Sequence, residues 1–169
     1  MSLPQNTLAA VLHRTREPLT IEEVVIPQLE QGQVLVKMLF AGLCGTQLLE
    51  ARGKKGEDKF LPHLMGHEGS GQVLAVGENV SHVKTGDFVI LSWIKGPGMN
   101  AASPKYRSPK GDVINAGPVA TFSQYAVVSE NRCTTLKNPP SAKISALIGC
   151  AIATGSGIVH HELNLQKNQ

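Results

Sequence analysis

Short apolar runs, each closed off by proline or glycine, constrain this chain more than any other feature. Residues 8–13, 19–26 and 34–40 are rich in aliphatic and β-branched side chains and are bounded by Pro18, Pro27 and the Gln31-Gly32 pair. Residues 71–76 run into Gly77-Glu78-Asn79, residues 87–93 begin after Thr85-Gly86, and residues 122–128 alternate apolar with polar up to a loop at 129–131. Runs this short with turn residues between them predict strands, and their spacing predicts a mainly β barrel or sandwich. Two segments read as short helices. Residues 46–52 hold helix formers and no breaker, and Ser141 is placed to cap a helix through Ile144, Leu147 and Ile148.

The remaining composition narrows the class. At 41% hydrophobic residues and a net charge of +3, the chain can bury a core and is not disordered. The same modest charge offers no clustered basic face for nucleic acid or a membrane surface. With 4% aromatics, the core must rest on Val, Leu, Ile and Ala. Three cysteines argue against a disulfide framework and for a reducing compartment. The first eighteen residues lack a signal-peptide pattern, and residues 144–159 are short for a membrane span and broken by Gly and Thr. A soluble cytoplasmic protein is expected. Residues 95–117 read as a long basic loop carrying Lys95, Lys105, Arg107 and Lys110, either mobile or set at a substrate mouth.

Chemistry concentrates at four residues. Cys44 in AGLCGTQ follows an apolar strand, His67 and Glu68 stand between glycines in PHLMGHEGSG, and Cys150 lies in ALIGCAIATG on the late helix. Two thiolates and an imidazole suit zinc, and three protein ligands with one open position mark a catalytic rather than a structural ion. By residue type alone, a small buried cysteine and a hydrogen-bonded histidine are the commoner readings.

Four stretches carry these residues: VLVKMLFAGLCGTQ, FLPHLMGHEGSGQVLAVGENVSHVKTGDFVIL, ATFSQYAVVSENRCTTL and ALIGCAIATG. From Leu8 to about Val159 the chain resembles the zinc-dependent alcohol dehydrogenase branch of the medium-chain dehydrogenase/reductase superfamily. The resemblance implies a GroES-like β-barrel catalytic domain with short helices over residues 1–140. It also implies a helix over 141–169 leading toward a dinucleotide-binding Rossmann domain absent from this chain. The Gly155-Ser156-Gly157 run lacks the third glycine and the preceding strand of the dinucleotide motif, so no cofactor-binding residue is expected here. By resemblance Cys44, His67 and Cys150 are the ligands of one catalytic zinc. Glu68 sits beside the metal, and the Thr46 hydroxyl bonds the substrate alcohol and passes its proton on. The implied reaction is hydride transfer between a small-molecule alcohol, polyol, sugar or carbonyl substrate and NAD or NADP. The fragment by itself is expected to be inactive, and a homo-oligomer is compatible.

Some positions depart from the family pattern. Gln47 stands where an aspartate often supports the metal site, and Leu49 stands where many relatives have a proton-relay histidine, leaving Glu50 as a stand-in. The 95–117 loop has no cysteine, so no structural zinc is expected; its basic residues favour an anionic substrate. A non-enzymatic GroES-like assembly domain is the alternative. The bland readings place Cys133 as a structural or free thiol, and His13, His63 and His82 as surface or hydrogen-bonded groups. They leave His160-His161 solvated, Trp93 in a cleft or core, and Lys54, Lys55, Glu57, Asp58 and Lys59 on a solvated face.

Overall fold

The computed structural model describes residues 2–163. Its strands form a closed five-stranded barrel and a separate five-stranded sheet. In the barrel, β1 (Asn6–Leu12) pairs antiparallel with β2 (Thr20–Val25), Ala9 opposite Glu22. The two-residue β4 (His63–Leu64) lies on the other side of β1, with His63 opposite Leu12. A hairpin of β7 (Lys105–Arg107) and β8 (Val113–Asn115) closes the ring, Arg107 against Val25 and Asn115 parallel to His63.

The second sheet has the order β10 (Cys133–Thr135), β6 (Phe88–Ser92), β5 (Glu68–Val76), β3 (Gln33–Ala41), β9 (Tyr125–Ser129), and every pairing in it is antiparallel. Because side chains alternate across a strand, β3 and β9 feed two cores. Leu35 and Val127 join Val11, Val24, Leu64, Tyr106 and Ile114 inside the barrel. Val34, Val36, Ala126 and Val128 join Val73, Val89 and Leu91 on the opposite side. A strand buried on both faces reads as a continuous apolar run, which is why residues 34–40 stood out.

The 95–117 segment is not a free loop. Its hairpin is part of the barrel wall, with Tyr106 and Ile114 fully buried and the Tyr106 Oη accepting the Val127 N–H at 2.7 Å. Each strand holds a single core side chain between two outward-facing neighbours, too little for a period to show. The Ser108–Asp112 turn supplies Gly111 at φ +96, a left-handed position suited to glycine.

The late helix is also broken. Ser141 caps α2 (Ala142–Ser145) by accepting the Ile144 N–H, and the expected run through Leu147 does not continue. A π-helical turn follows at Ile148–Ile152, then α3 (Ala153–Gly157) and a second π turn at Ile158–Glu162. Within that turn Gly149 packs so closely on the Leu91 carbonyl that a Cβ would overlap it. Residues 164–169 of the expected segment lie outside the described residues. Among those described, no helix is long and apolar enough to cross a membrane.

A buried carboxylate binds the loops to the second sheet. Glu130, in the 3₁₀ turn Glu130–Arg132, accepts N–H bonds from Ser81 (2.5 Å), His82 (2.6 Å) and Met99 (2.7 Å). Burial alone would raise its pKa, but these amide bonds and the charge of His82 outweigh it and hold the carboxyl below its ordinary value. A depressed folded-state pKa stabilises the fold above the unfolded value and is lost as pH falls through the folded one. Glu130→Gln is expected to lower unfolding free energy by about 2 kcal/mol at neutral pH. The deficit should shrink as pH drops below about 4, the ordinary carboxylate range. Urea unfolding of both proteins across a pH series measures it, and a pH-independent difference would refute the role.

Candidate metal centre

Cys44, His67 and Cys150 lie in three separate elements that converge. Cys44 follows β3 and caps α1 (Gly45–Ala51), its N–H bonded to Gln47 Oε1 at 2.9 Å. His67 occupies the step between β4 and β5. Gly66 precedes it at φ +95, where a Cβ would overlap the Thr121 side chain. Cys150 sits in the first π turn. The two thiol sulfurs and one imidazole nitrogen all lie within 4.8 Å of one another. His67 Nε2 is buried and has no hydrogen-bond partner. Such an orphan is costly unless a ligand completes it, and with two sulfurs beside it the donor set fits a tetrahedral zinc with one open position.

The π turn is clamped on both sides of Cys150. Ser92 Oγ donates to the Gly149 carbonyl at 2.6 Å, and the Ala151 N–H donates to Glu68 Oε2 at 3.1 Å. Glu68 is 1% exposed, its Oε1 buried without a partner. It packs against Gly42, where any Cβ would collide with the carboxylate. Glu68 therefore positions the cysteine turn with one oxygen and leaves the other unpaired.

The two thiols are inequivalent. Backbone and hydroxyl hydrogen bonds from Thr46 lower the Cys44 pKa, whereas burial and the neighbouring Cys44 raise that of Cys150. Burial lowers the His67 pKa, favouring the neutral ring that a metal requires. Gln47 complicates that ring. Its amide oxygen is engaged by the Cys44 N–H, so its Nε2, a pure donor, faces His67 Nδ1 at 2.5 Å. In that arrangement the ring proton belongs on Nε2, the buried nitrogen without a hydrogen-bond partner. Nε2 can ligate a metal only after the proton moves to Nδ1 and the Gln47 amide turns over.

A cleft of about 730 Å³ opens beside the centre, lined by Gln47, Glu50, His63, His67, Trp93 and Arg132 among others. Trp93 is 56% exposed at its rim, which places it in the cleft and not in the core. Of the basic residues in 95–117 only Lys105 reaches the lining; Arg107 turns to the Gly111 carbonyl. Arg132 was not singled out by its sequence context. It is 8% exposed, one guanidinium nitrogen donates to the Trp93 carbonyl, and its Nε is buried and unpaired. Burial lowers its pKa.

The 54–59 stretch is not wholly a solvated face, because Asp58 bonds the buried His63 at 2.8 Å with Glu50 close by. Nothing in their spacing marks this group; it exists only once β4 is folded. Elsewhere Cys133 is buried and its thiol is pushed up to about 12 by burial, fitting a structural thiol. His13 bonds Glu22 at 2.6 Å, and His82, His160 and His161 are exposed.

Comparison with known proteins agrees with this architecture. The family model for the alcohol dehydrogenase GroES-like domain matches residues 30–138. Alcohol dehydrogenase class-3 of Dictyostelium discoideum is 30% identical over 173 residues, covering 88% of this chain and 45% of that protein. Alcohol dehydrogenase 6 of Peromyscus maniculatus is 34% identical, covering 88% and 46%. An alcohol dehydrogenase zinc-binding domain protein from Burkholderia ambifaria superposes with a TM-score of 0.83 at 26% identity, covering 96% of this chain and 50% of the other. Benzyl alcohol dehydrogenase from Acinetobacter calcoaceticus gives 0.77 at 25%, covering 96% and 50%. The chain spans about half the length of these relatives. A family match that takes in the whole second sheet and barrel strands β4, β7 and β8, on a fold shared with solved alcohol dehydrogenases, makes this chain a member of the alcohol dehydrogenase family of medium-chain dehydrogenases/reductases, built on its GroES-like domain.

Proposed function

We propose that this chain is the zinc- and substrate-binding part of an alcohol dehydrogenase that moves a hydride between an alcohol and NAD or NADP. One observation carries the reading: two thiols and a buried, unpartnered imidazole nitrogen within 4.8 Å of one another. A zinc ion held by Cys44, His67 and Cys150 would supply Lewis-acid polarisation of an alcohol or carbonyl oxygen in the adjoining cleft. Thr46, whose hydroxyl already bonds Cys44, is the group proposed to hold the substrate hydroxyl and receive its proton. Glu50 follows one turn later on the same face of α1 and lines the cleft, so it can accept the proton where Leu49 cannot. The described residues form no doubly wound parallel sheet, so the nicotinamide must be held by a further domain. The chain alone is proposed to bind zinc without turning over alcohol.

The lining favours an alcohol that also bears an anion. Lys55, Lys105 and Arg132 line the cleft with Glu50, and a buried guanidinium without a carboxylate partner gains from an anionic ligand.

Three outcomes follow from this reading. Metal analysis of the purified chain is expected to give about one zinc, reduced at least about tenfold in affinity by Cys44→Ser or His67→Ala; full retention in both would overturn it. Gln47→Asp supplies an acceptor to both the Cys44 N–H and a protonated Nδ1, and should tighten zinc binding by about tenfold or more. Competition with a chromophoric chelator reads that change, and weaker binding would refute the tautomer argument. Trp93 is the chain's one tryptophan, so its fluorescence should report saturable binding of a hydroxy acid. Arg132→Met should weaken that binding by about tenfold, the value of one charged hydrogen bond, while a neutral alcohol of equal size is unaffected.

A further inference from the structure

We propose that Glu50, Asp58 and His63 form a second divalent-cation site, distinct from the cysteine centre and suited to a borderline transition metal such as zinc or cobalt(II). One ligand atom from each residue lies within 4.8 Å of the other two. His63 Nε2 stands 2.8 Å from Asp58 Oδ2 and 3.9 Å from Glu50 Oε1. An imidazole with two carboxylates, and no thiol, is a donor set for zinc, cobalt or manganese.

The hydrogen bonding of His63 argues for a cation. Its Nδ1 faces the Leu64 carbonyl at 3.0 Å and its Nε2 faces the Asp58 carboxylate. Both partners accept only, while a neutral imidazole owns a single N–H. One ring nitrogen would then set a lone pair against an oxygen unless the ring carries a second proton or a metal cation stands between them. A metal on Nε2 resolves this and leaves the proton on Nδ1, bonded to the carbonyl, as is usual for metal-bound histidine. Ligands about 2.0–2.1 Å from a tetrahedral ion would be about 3.3 Å apart, so His63 and Asp58, now 2.8 Å apart, need to separate by only about 0.5 Å to admit one.

The site is built in advance. His63 lies in β4, paired to β1 on one side and β8 on the other, and its side chain is 9% exposed. The Phe60 N–H holds Asp58 Oδ1 at 2.9 Å, and Asn115 Nδ2 pins the Phe60 carbonyl at 2.8 Å. Glu50 comes from α1, 31% exposed at its side chain, and is free to close on the ion. Lys55 and Lys59 share the rim with Glu50, Glu57 and Asp58, and two ammonium groups against three carboxylates leave it negative. An occupied site would tie α1 to the loop that leads into the Gly66-His67 step.

Cobalt(II) titration tests this, on the 169-residue chain with His160 and His161 replaced by alanine to remove a competing exposed pair. The parent should bind about two ions, of which only the cysteine-bound one gives a thiolate-to-cobalt charge-transfer band. Asp58→Asn and Glu50→Gln should each weaken the band-free ion by about tenfold or more without touching the band. Cys44→Ser should remove the band and leave the second ion bound. Glu50→Gln changes an exposed helix side chain, so it remains decisive if His63 variants fail to fold. The site is refuted if the band-free ion is missing from the parent, or persists at parent affinity in both carboxylate variants, as a lone imidazolium–carboxylate pair would require. Loss of the band in the parent would instead count against the cysteine centre alone.

Discussion

Buried Glu68 holds the candidate metal centre together through its backbone and its carboxylate. Its backbone carbonyl accepts the Gly42 N–H, and its Oε2 accepts the Ala151 N–H. Each putting-in-place reaches a ligand: Cys44 lies two residues after Gly42, His67 immediately precedes Glu68, and Cys150 immediately precedes Ala151. Gly42 and Gly149 are needed because a side chain at either would overlap Glu68 or the Leu91 carbonyl. A carboxylate in this position is costly to bury, and it is tolerated where amide donors satisfy it. The unpaired Oε1 beside two thiols and an imidazole is then consistent with a site that a cation completes.

The two cores explain why such a centre can be rigid. β3 and β9 contribute alternate side chains to the barrel and to the second sheet, so neither core can shift without moving the other. The centre lies where β3 ends and β5 begins, and the cleft runs from there between the barrel mouth at β4 and β8 and the end of β6 at Trp93. Interior packing sets the positions of Cys44 and His67 through their strands. Cys150 depends instead on a π turn held from outside, by Ser92 at the Gly149 carbonyl and by Glu68 at the Ala151 N–H.

Legibility in the sequence followed the amount of apolar pattern each element carries. β3, β5 and β6 are long enough that their aliphatic runs and flanking turns identify them, and α1 and the Ser141 cap were readable from residue type. β4, β7, β8 and β10 have two or three residues each, and Tyr106 or Ile114 alone makes no period. The π turn at Ile148–Ile152 was unreadable because no residue type marks it, and the approach of Gly149 to Leu91 within it is a tertiary contact. Cys44, His67 and Cys150 were legible by resemblance and the structure brings them together. Asp58 and His63 were not, since one arrives from a loop and the other from a strand too short to recognise.

The two acid–histidine arrangements also meet at one residue. Glu50 is the proposed proton acceptor one turn beyond Thr46, and it is the outermost donor of the Asp58–His63 cluster. A carboxylate bound to a cation is a poor base, because the metal charge favours its ionised form. Occupation of the outer site would therefore slow proton release from the inner one without touching Cys44, His67 or Cys150. Such coupling needs no conformational change; it requires only that a single carboxylate serve both tasks. The replacement of a relay histidine by Leu49 makes this possible, since it leaves the path with no second group on α1 to take the proton.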